Sequence, residues 1–373
     1  MRLPVADRAL HPIRRTHLEE MTGPLGIWQH ARGRRPNEAF GYCTDDVARF
    51  LTLDLMHSLE IGWGPVRLSA WRSLRFLDAA FVESTGRFQN FRAADGRWLE
   101  TGWSEDGHGR ALRALGLAMT RSPEPAFAAD TRSLFLRGLA ATGEMRSVRG
   151  QAAALLGCAA ALQSDASPEI GTAFCGLAGE LKRAFTLCST DGGWPWPDET
   201  LTYENGLLPE ALLRAGAGLG DTGLVQLGLS TLDWLEQIQS ASTGFQPIGN
   251  RGWWRRGATR AVFDQQPIEA ASMVLAAAAA FEQTGDARHR TTVERAYGWF
   301  LGDNCLGLAV ADPLTGGCHD GLTQTGVNLN QGAESTLMWQ MALEAVRATR
   351  RLASGSRAGS MPASTSATTG GRR

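Results

Sequence analysis

The sequence predicts an all-α fold, an (α/α)6 barrel: six helical hairpins closed into a toroid, with long loops at the N-terminal end of the inner helices. Three observations lead there. A polar, mostly acidic start runs into an Ala- and Leu-rich stretch six times, at Thr44-Asp45-Asp46, Ser104-Glu105-Asp106, Arg146-Ser147, Tyr203-Glu204-Asn205, Asp264-Gln265-Gln266 and Asn330-Gln331. The helices behind these starts are apolar on most faces. Those between them, such as SAWRSLRFLDAAF and TTVERAYGWFL, carry a one-sided apolar stripe. An inner set buried all round and an outer set half in water make two concentric layers. Finally, loops into the apolar helices are long and aromatic, whereas loops out of them (GAGLGDTG, EQTGDAR) are short, so the long ones gather at one end.

In chain order, residues 1–12 read as an extended lead-in. Outer helices are expected at about 13–22, 67–83, 126–141, 168–187, 223–239 and 287–302, and inner helices at about 44–60, 104–120, 147–162, 203–219, 264–283 and 330–350. The starts lie 43 to 66 residues apart, with no fixed period, which favours a closed ring over an α-solenoid. One barrel domain is expected over 1–352, and the small polar residues of 353–373 form a tail unable to bury surface, hence disordered.

Bulk properties narrow the function. A net charge of −1 gives no reason to expect nucleic acid or a membrane surface as partner. The single lysine, Lys182 in GELKRAF, reads as a solvated helix face and disfavours Schiff-base chemistry. The six cysteines form no CxxC pair and read as buried free thiols. With no apolar N-terminal h-region and no run of 18 apolar residues, the expected location is cytoplasmic. Neither GxxxxGK[ST] nor GxSxG occurs, and Gly107-His108-Gly109 follows no strand.

Six inner-helix N-termini meeting at one end bring together unpaired N–H groups and partial positive charge, which favours carboxylates. The candidates are Asp45, Asp46, Glu105, Asp106, Glu204, Asp264 and Glu334. Each could equally be a first-turn acid beside a capping Thr44, Ser104 or Thr202. Gathered in one cavity they repel, and at least one should hold its proton. An acid held protonated beside one held ionised is what glycosidic cleavage requires. Asp106 is the expected general acid, raised by Glu105, with Asp46 or Glu204 as opposing base or nucleophile.

Sugar-binding groups are expected from the same end. Trp103, Trp194, Trp196, Trp253 and Trp254 offer flat faces, unless they merely pin their own loops. Asn205, Gln265, Gln266 and Asn330 offer amides for hydroxyls, and Tyr42, Tyr203, His108, Arg110 and His319 sit in the same segments. No HExxH or comparable spacing occurs, so neither metal nor cofactor is expected. A sugar epimerase using His108 and His319 for proton transfer is an alternative. So is a non-catalytic glycan-binding protein. Arg49, Arg92, Arg110 and Arg251 leave room for a phosphorolytic variant.

GYCTDDVAR, SEDGHGRALRALG, DGGWPWPDETLTYENGLLPEALL, FQPIGNRGWW, FDQQPIEA and NLNQGAES together resemble a bacterial group of six-hairpin proteins often found alongside glycosyltransferases. These motifs span residues 41 to about 345. At superfamily level the chain is similar to the six-hairpin glycosidases, which place acidic pairs at inner-helix starts and bind glycans in the funnel. The resemblance implies an (α/α)6 carbohydrate-active enzyme with an oligosaccharide substrate and a possible functional association with a glycosyltransferase.

Overall fold

The computed structural model describes residues 5, 8–99, 102–188 and 193–358. The helices among them are α1 (Thr16–Glu20), α2 (Thr44–Ile61), α3 (Gly64–Ala80), α4 (Glu105–Arg121), α5 (Pro125–Leu139), α6 (Val148–Ala161), α7 (Pro168–Cys188), α8 (Leu207–Leu219), α9 (Thr222–Ile238), α10 (Pro267–Thr284), α11 (Ala287–Gly298) and α12 (Ala333–Ala358). The even-numbered helices form the inner ring: each packs on its two inner neighbours, and α12 returns to α2. That closure removes the solenoid alternative. Helices α3, α5, α7, α9 and α11 each lie outside the inner helix that precedes them.

The sixth outer place is filled differently from expectation. Instead of a helix over 13–22 there is only the five-residue α1. The segment before it lies along α12 and gives its carbonyls to that helix's side chains. Gln340 Nε2 donates to Arg14 O at 3.1 Å, Arg347 Nη2 to His11 O at 2.9 Å, and Arg350 Nη1 to Arg8 O at 2.7 Å. Carbonyls used this way are not free for a helical ladder. Arg15 ties the segment to α2 through Asp54 at 2.5 Å.

Serine caps start α4 and α6. Ser104 Oγ accepts from Gly107 N at 3.1 Å, and Ser147 Oγ from Gly150 N at 3.2 Å. Thr44 is not a cap but the first helical residue, and its hydroxyl donates to Gln89 O at 2.5 Å. Helices α8, α10 and α12 begin three or four residues later than the sequence suggests. Glu204, at φ 50°, cannot be helical, and Pro267 fixes the first position of α10. Glu204 and Asp264 therefore sit ahead of their helices, and Glu210, Glu269 and Glu334 become the first-turn acids.

The loops carry seven two-stranded antiparallel ladders among the described residues, including Tyr42–Cys43 with Phe91–Arg92 and Trp254–Arg255 with Thr200–Leu201. At two or three residues a strand, they are too short to show alternation in sequence. Helix α12 runs to Ala358, past the point where the tail was expected to begin; residues 359–373 lie outside the described residues. Cys43, Cys158 and Cys318 are buried free thiols, but Cys175 is exposed and Cys305 half-buried, which corrects the expectation for those two. No helix among the described residues is long and apolar enough to cross a membrane.

The closest approach in the ring is α4 on α6, where glycines meet glycines. A Cβ on Gly116 would lie 2.1 Å from Gly157 O, and one on Gly109 2.2 Å from Gly150 O. Gly179 in α7 has nothing within 4 Å. Alanine gains about 1 kcal/mol of helix propensity at either kind of site, but overpacking against a backbone carbonyl costs about 1–3 kcal/mol or more. In urea denaturation G116A is expected to be destabilised and G179A unchanged or stabilised by up to about 1 kcal/mol; equal effects would show that the backbones are not in contact.

Candidate active site

At the N-terminal mouth of the inner ring, two buried arginines hold a group of carboxylates from different helices. Arg49, one turn into α2, reaches Asp45 at 3.1 Å, Asp46 at 3.4 Å, Glu334 at 3.2 Å and Glu204 at 3.9 Å. Arg110, one turn into α4, reaches Asp45 at 3.0 Å and Asp106 at 3.8 Å and donates to Glu204 Oε2. Helical spacing explains the local pairs, since Asp45 and Asp46 lie four and three residues before Arg49, and Asp106 four before Arg110. Asp106 is held on both oxygens, by Ser147 Oγ and Tyr203 OH, each at 2.6 Å. Arg149 of α6 backs Tyr203, donating to its carbonyl at 2.6 Å and lying 4.7 Å from its ring centroid.

These surroundings divide the carboxyls into two kinds. Burial pushes Asp106 up, but Arg110 and the bonds from Ser147 and Tyr203 outweigh it and hold the group below its ordinary value. Glu204 behaves alike: burial raises it, and Arg110 and Arg49 bring it below the usual range. For Glu334 burial prevails over Arg49, with Asp45 adding repulsion, so its carboxyl lies above the ordinary value although 39% of its side-chain surface opens to the recess. Burial likewise lifts Asp46 well above the carboxylate range against the pull of Arg49. Asp106 as the protonated acid is thus corrected: it is held ionised, and Glu334 is the accessible group that favours its proton.

The mouth divides into two lobes. One, about 460 Å³, is walled by Trp103, Asp106, Arg110, Ser147 and Tyr203. The other, about 430 Å³, is walled by Asn250, Asp264, Gln266, Asp320 and Asn328. Asp45 and Glu334 line both. Each lobe is within the size of small-ligand clefts.

Several expected site residues are committed to the scaffold or lie elsewhere. Glu105 borders the first lobe, but its Oε2 is turned to α6, where it accepts from the backbone N–H groups of Arg146 and Ser147, both at 2.5 Å. His108 is sealed in the wall, bonded through Nε2 to Gly138 O at 3.0 Å, and burial pushes it down to about 4. His319 lines neither lobe; its neighbour Asp320 does, accepting from Gly332 N at 2.8 Å. Tyr42 is buried on Trp28, ring centroids 4.1 Å apart. Trp194, Trp196 and Trp254 gather around Trp234 of α9 at 5.5, 6.1 and 6.4 Å, pinning their loops to the outer layer. Trp253 lies beside Tyr203, centroids 6.3 Å apart.

The amides are also mostly structural. Gln265 is buried between Trp299 Nε1 and Val262 O, and Asn330 Oδ1 accepts from Gly33 N at 3.0 Å. Asn205 is buried between Arg149 and Glu269. Gln266 alone of the four expected amides lines a lobe with its residue only partly buried. Arg92 faces the outer surface rather than the funnel, and Arg251 is exposed. Among the described residues no group of three His, Cys, Asp or Glu side chains is arranged to hold a metal.

Glu269 is the residue that the sequence reading missed. It accepts from Glu204 N and, at 2.8 Å, from Asn205 Nδ2, so it fixes the left-handed turn that carries Glu204. The available signal was an acid two residues after the helix-opening Pro267.

The sequence matches no protein-family model and no curated protein. Solved structures do resemble it. A sugar epimerase from a ruminal bacterium superposes with a TM-score of 0.67 at 12% identity, covering 88% of this chain and 94% of that one. The chain is an (α/α)6 barrel. A D-mannose isomerase gives a TM-score of 0.68 at 11% identity over 90% of this chain and 95% of that one. The GH76 α-mannanase of Bacteroides thetaiotaomicron gives 0.57 at 12% identity over 83% and 87%. At such identities the likeness is one of fold.

Burial raises Glu269 from 4.5 to about 8, only partly offset by Asn205 and Arg149. The folded chain therefore keeps a proton that the unfolded chain releases near 4.5, and stability should fall as pH rises from there to about 8. E269Q is expected to flatten that part of the stability–pH curve measured by urea denaturation. An unchanged slope would assign the dependence to other groups.

Proposed function

We propose that the protein is a carbohydrate-active enzyme that cleaves or transfers a glycosidic bond. The observation that carries this reading is the pairing, in one recess, of Glu334, which favours its proton and is open to solvent, with Asp106, which is held ionised. Glu334 would protonate the leaving oxygen, and Asp106 would act across the bond as base or nucleophile. Glu334 and Asp45 line both lobes, so the sugars flanking the bond would sit one in each, the first against Trp103 and Tyr203. Arg49 and Arg110, the arginines that line the first lobe, are buried and already neutralised by carboxylates, which favours water or a sugar hydroxyl over phosphate as acceptor.

A second reading, epimerisation or isomerisation, is favoured by the sugar epimerase and mannose isomerase among the structural neighbours. With His108 sealed and His319 outside the lobes, its proton transfers would fall to the same carboxylates.

The test is product analysis with α- and β-linked gluco- and manno-oligosaccharides, with and without phosphate. Shortened products are expected, reduced by about 10²–10⁴ in E334Q and in D106N. Products of unchanged length and altered stereochemistry would support the second reading, and tight binding without turnover would overturn both. Activity should fall on the alkaline side as Glu334 loses its proton, at a pH above the ordinary carboxylate range, and on the acid side as Asp106 gains one, below that range. A profile centred elsewhere would reassign the roles.

A further inference from the structure

Outside the barrel, on the face of α3, lies a concavity of about 500 Å³ that the proposed chemistry does not use. Four guanidinium groups line it: Arg67, Arg72 and Arg75 from α3, and Arg92 from the strand paired with Tyr42–Cys43. Along α3, Leu68, Trp71, Arg72 and Arg75 are linked by three- and four-residue steps and Arg67 adjoins Leu68, so the arginines and the two apolar side chains share one side of the helix. Only Arg67 is neutralised, by Glu124 at 2.7 Å. Arg92 is held in place by Gly96 O at 2.8 Å and by the Trp98 and Phe76 rings, 5.0 and 5.8 Å from its guanidinium carbon. Arg72 and Arg75 meet no carboxylate among the described residues. Elsewhere most arginines of the outer helices are matched, Arg137 with Asp78, Arg132 with Asp165, Arg288 with Asp233 and Arg183 with Glu180, Arg290 of α11 being an isolated exception.

Three uncompensated guanidiniums in one hollow repel, and a multivalent anion relieves that repulsion while using their planar donor forks. Phosphate oxygens suit this geometry best. The rest of the wall, Leu25, Leu68, Trp71 and Phe76, is apolar, and Leu68 is 68% exposed. We propose that this groove binds a phosphate ester carrying at least two phosphate charges next to an apolar or flat group, of which a nucleoside diphosphate is the simplest soluble example. The groove and the funnel stand back to back: Arg92 faces the groove, while the preceding Asn90 and Phe91 line the second lobe.

The test is isothermal titration of the full chain with inorganic pyrophosphate and with a nucleoside diphosphate, alongside flotation with phosphatidylglycerol vesicles. R72A/R75A is the disrupting variant and R72K/R75K the charge-retaining one. The wild type should bind both soluble phosphates, more weakly as salt rises. The nucleoside diphosphate should bind more tightly than pyrophosphate because of the apolar wall. R72A/R75A should bind at least about 10-fold more weakly with unchanged thermal unfolding, and R72K/R75K should fall between. No binding by the wild type, equal binding by R72A/R75A, or binding to vesicles but not to the soluble phosphates would each overturn the proposal.

Discussion

Everything at the funnel mouth depends on two guanidinium groups that cannot be discharged. Closing six helices in a ring forces their N-terminal turns together, and the partial positive charge there draws acids from α2, α4, α12 and the approach to α8. Without a counter-charge, so many carboxylates in one hollow would mostly take up protons. Arg49 and Arg110 prevent this unevenly. Asp106 and Glu204 stay ionised because an arginine and further donors reach them, whereas Glu334 and Asp46 are left where burial and neighbouring negative charge prevail. An arginine is suited to this position because its charge persists at any relevant pH and its fork can serve several carboxylates at once.

The same pairs also bind the ring together. Arg110 joins α2, α4 and the turn before α8; Arg49 joins α2 to α12. Losing one partner of such a buried pair costs about 3–5 kcal/mol, because the remaining charge stays buried. Site and scaffold therefore share residues, and Glu269, which touches no recess, belongs to both by holding the turn of Glu204.

The repeating architecture was legible in the sequence because buried and half-buried helices differ in composition along their whole length. The acidic starts were legible as a group, but not which acids face the cavity. Glu105 and Asp106 are adjacent, and one helical step of about 100° sends the first to the neighbouring helix and the second into the recess. His108, two residues further on, is carried into the wall. Tryptophans in the loops looked alike in sequence, yet Trp103 lines the recess while Trp194 and Trp196 pack against Trp234 of α9, a distinction set by contacts remote in the chain. Asp106 does line the recess, but Tyr203 and Ser147, which hold its carboxyl below the ordinary value, come from other hairpins and were not legible as its partners.

The ring's seam lies between the first and last inner helices, where Arg49 meets Glu334 and the N-terminal segment lies along α12. On the ribosome, α2 emerges long before α12, so Arg49 and the acids beside it stay hydrated until all six inner helices have been made. The mouth cannot acquire its divided proton affinities piecemeal. Nascent chains lacking α12 would hold an open arc whose innermost faces are still wet, and α12, the sixth inner helix, both seals the wall and brings Glu334 to Arg49.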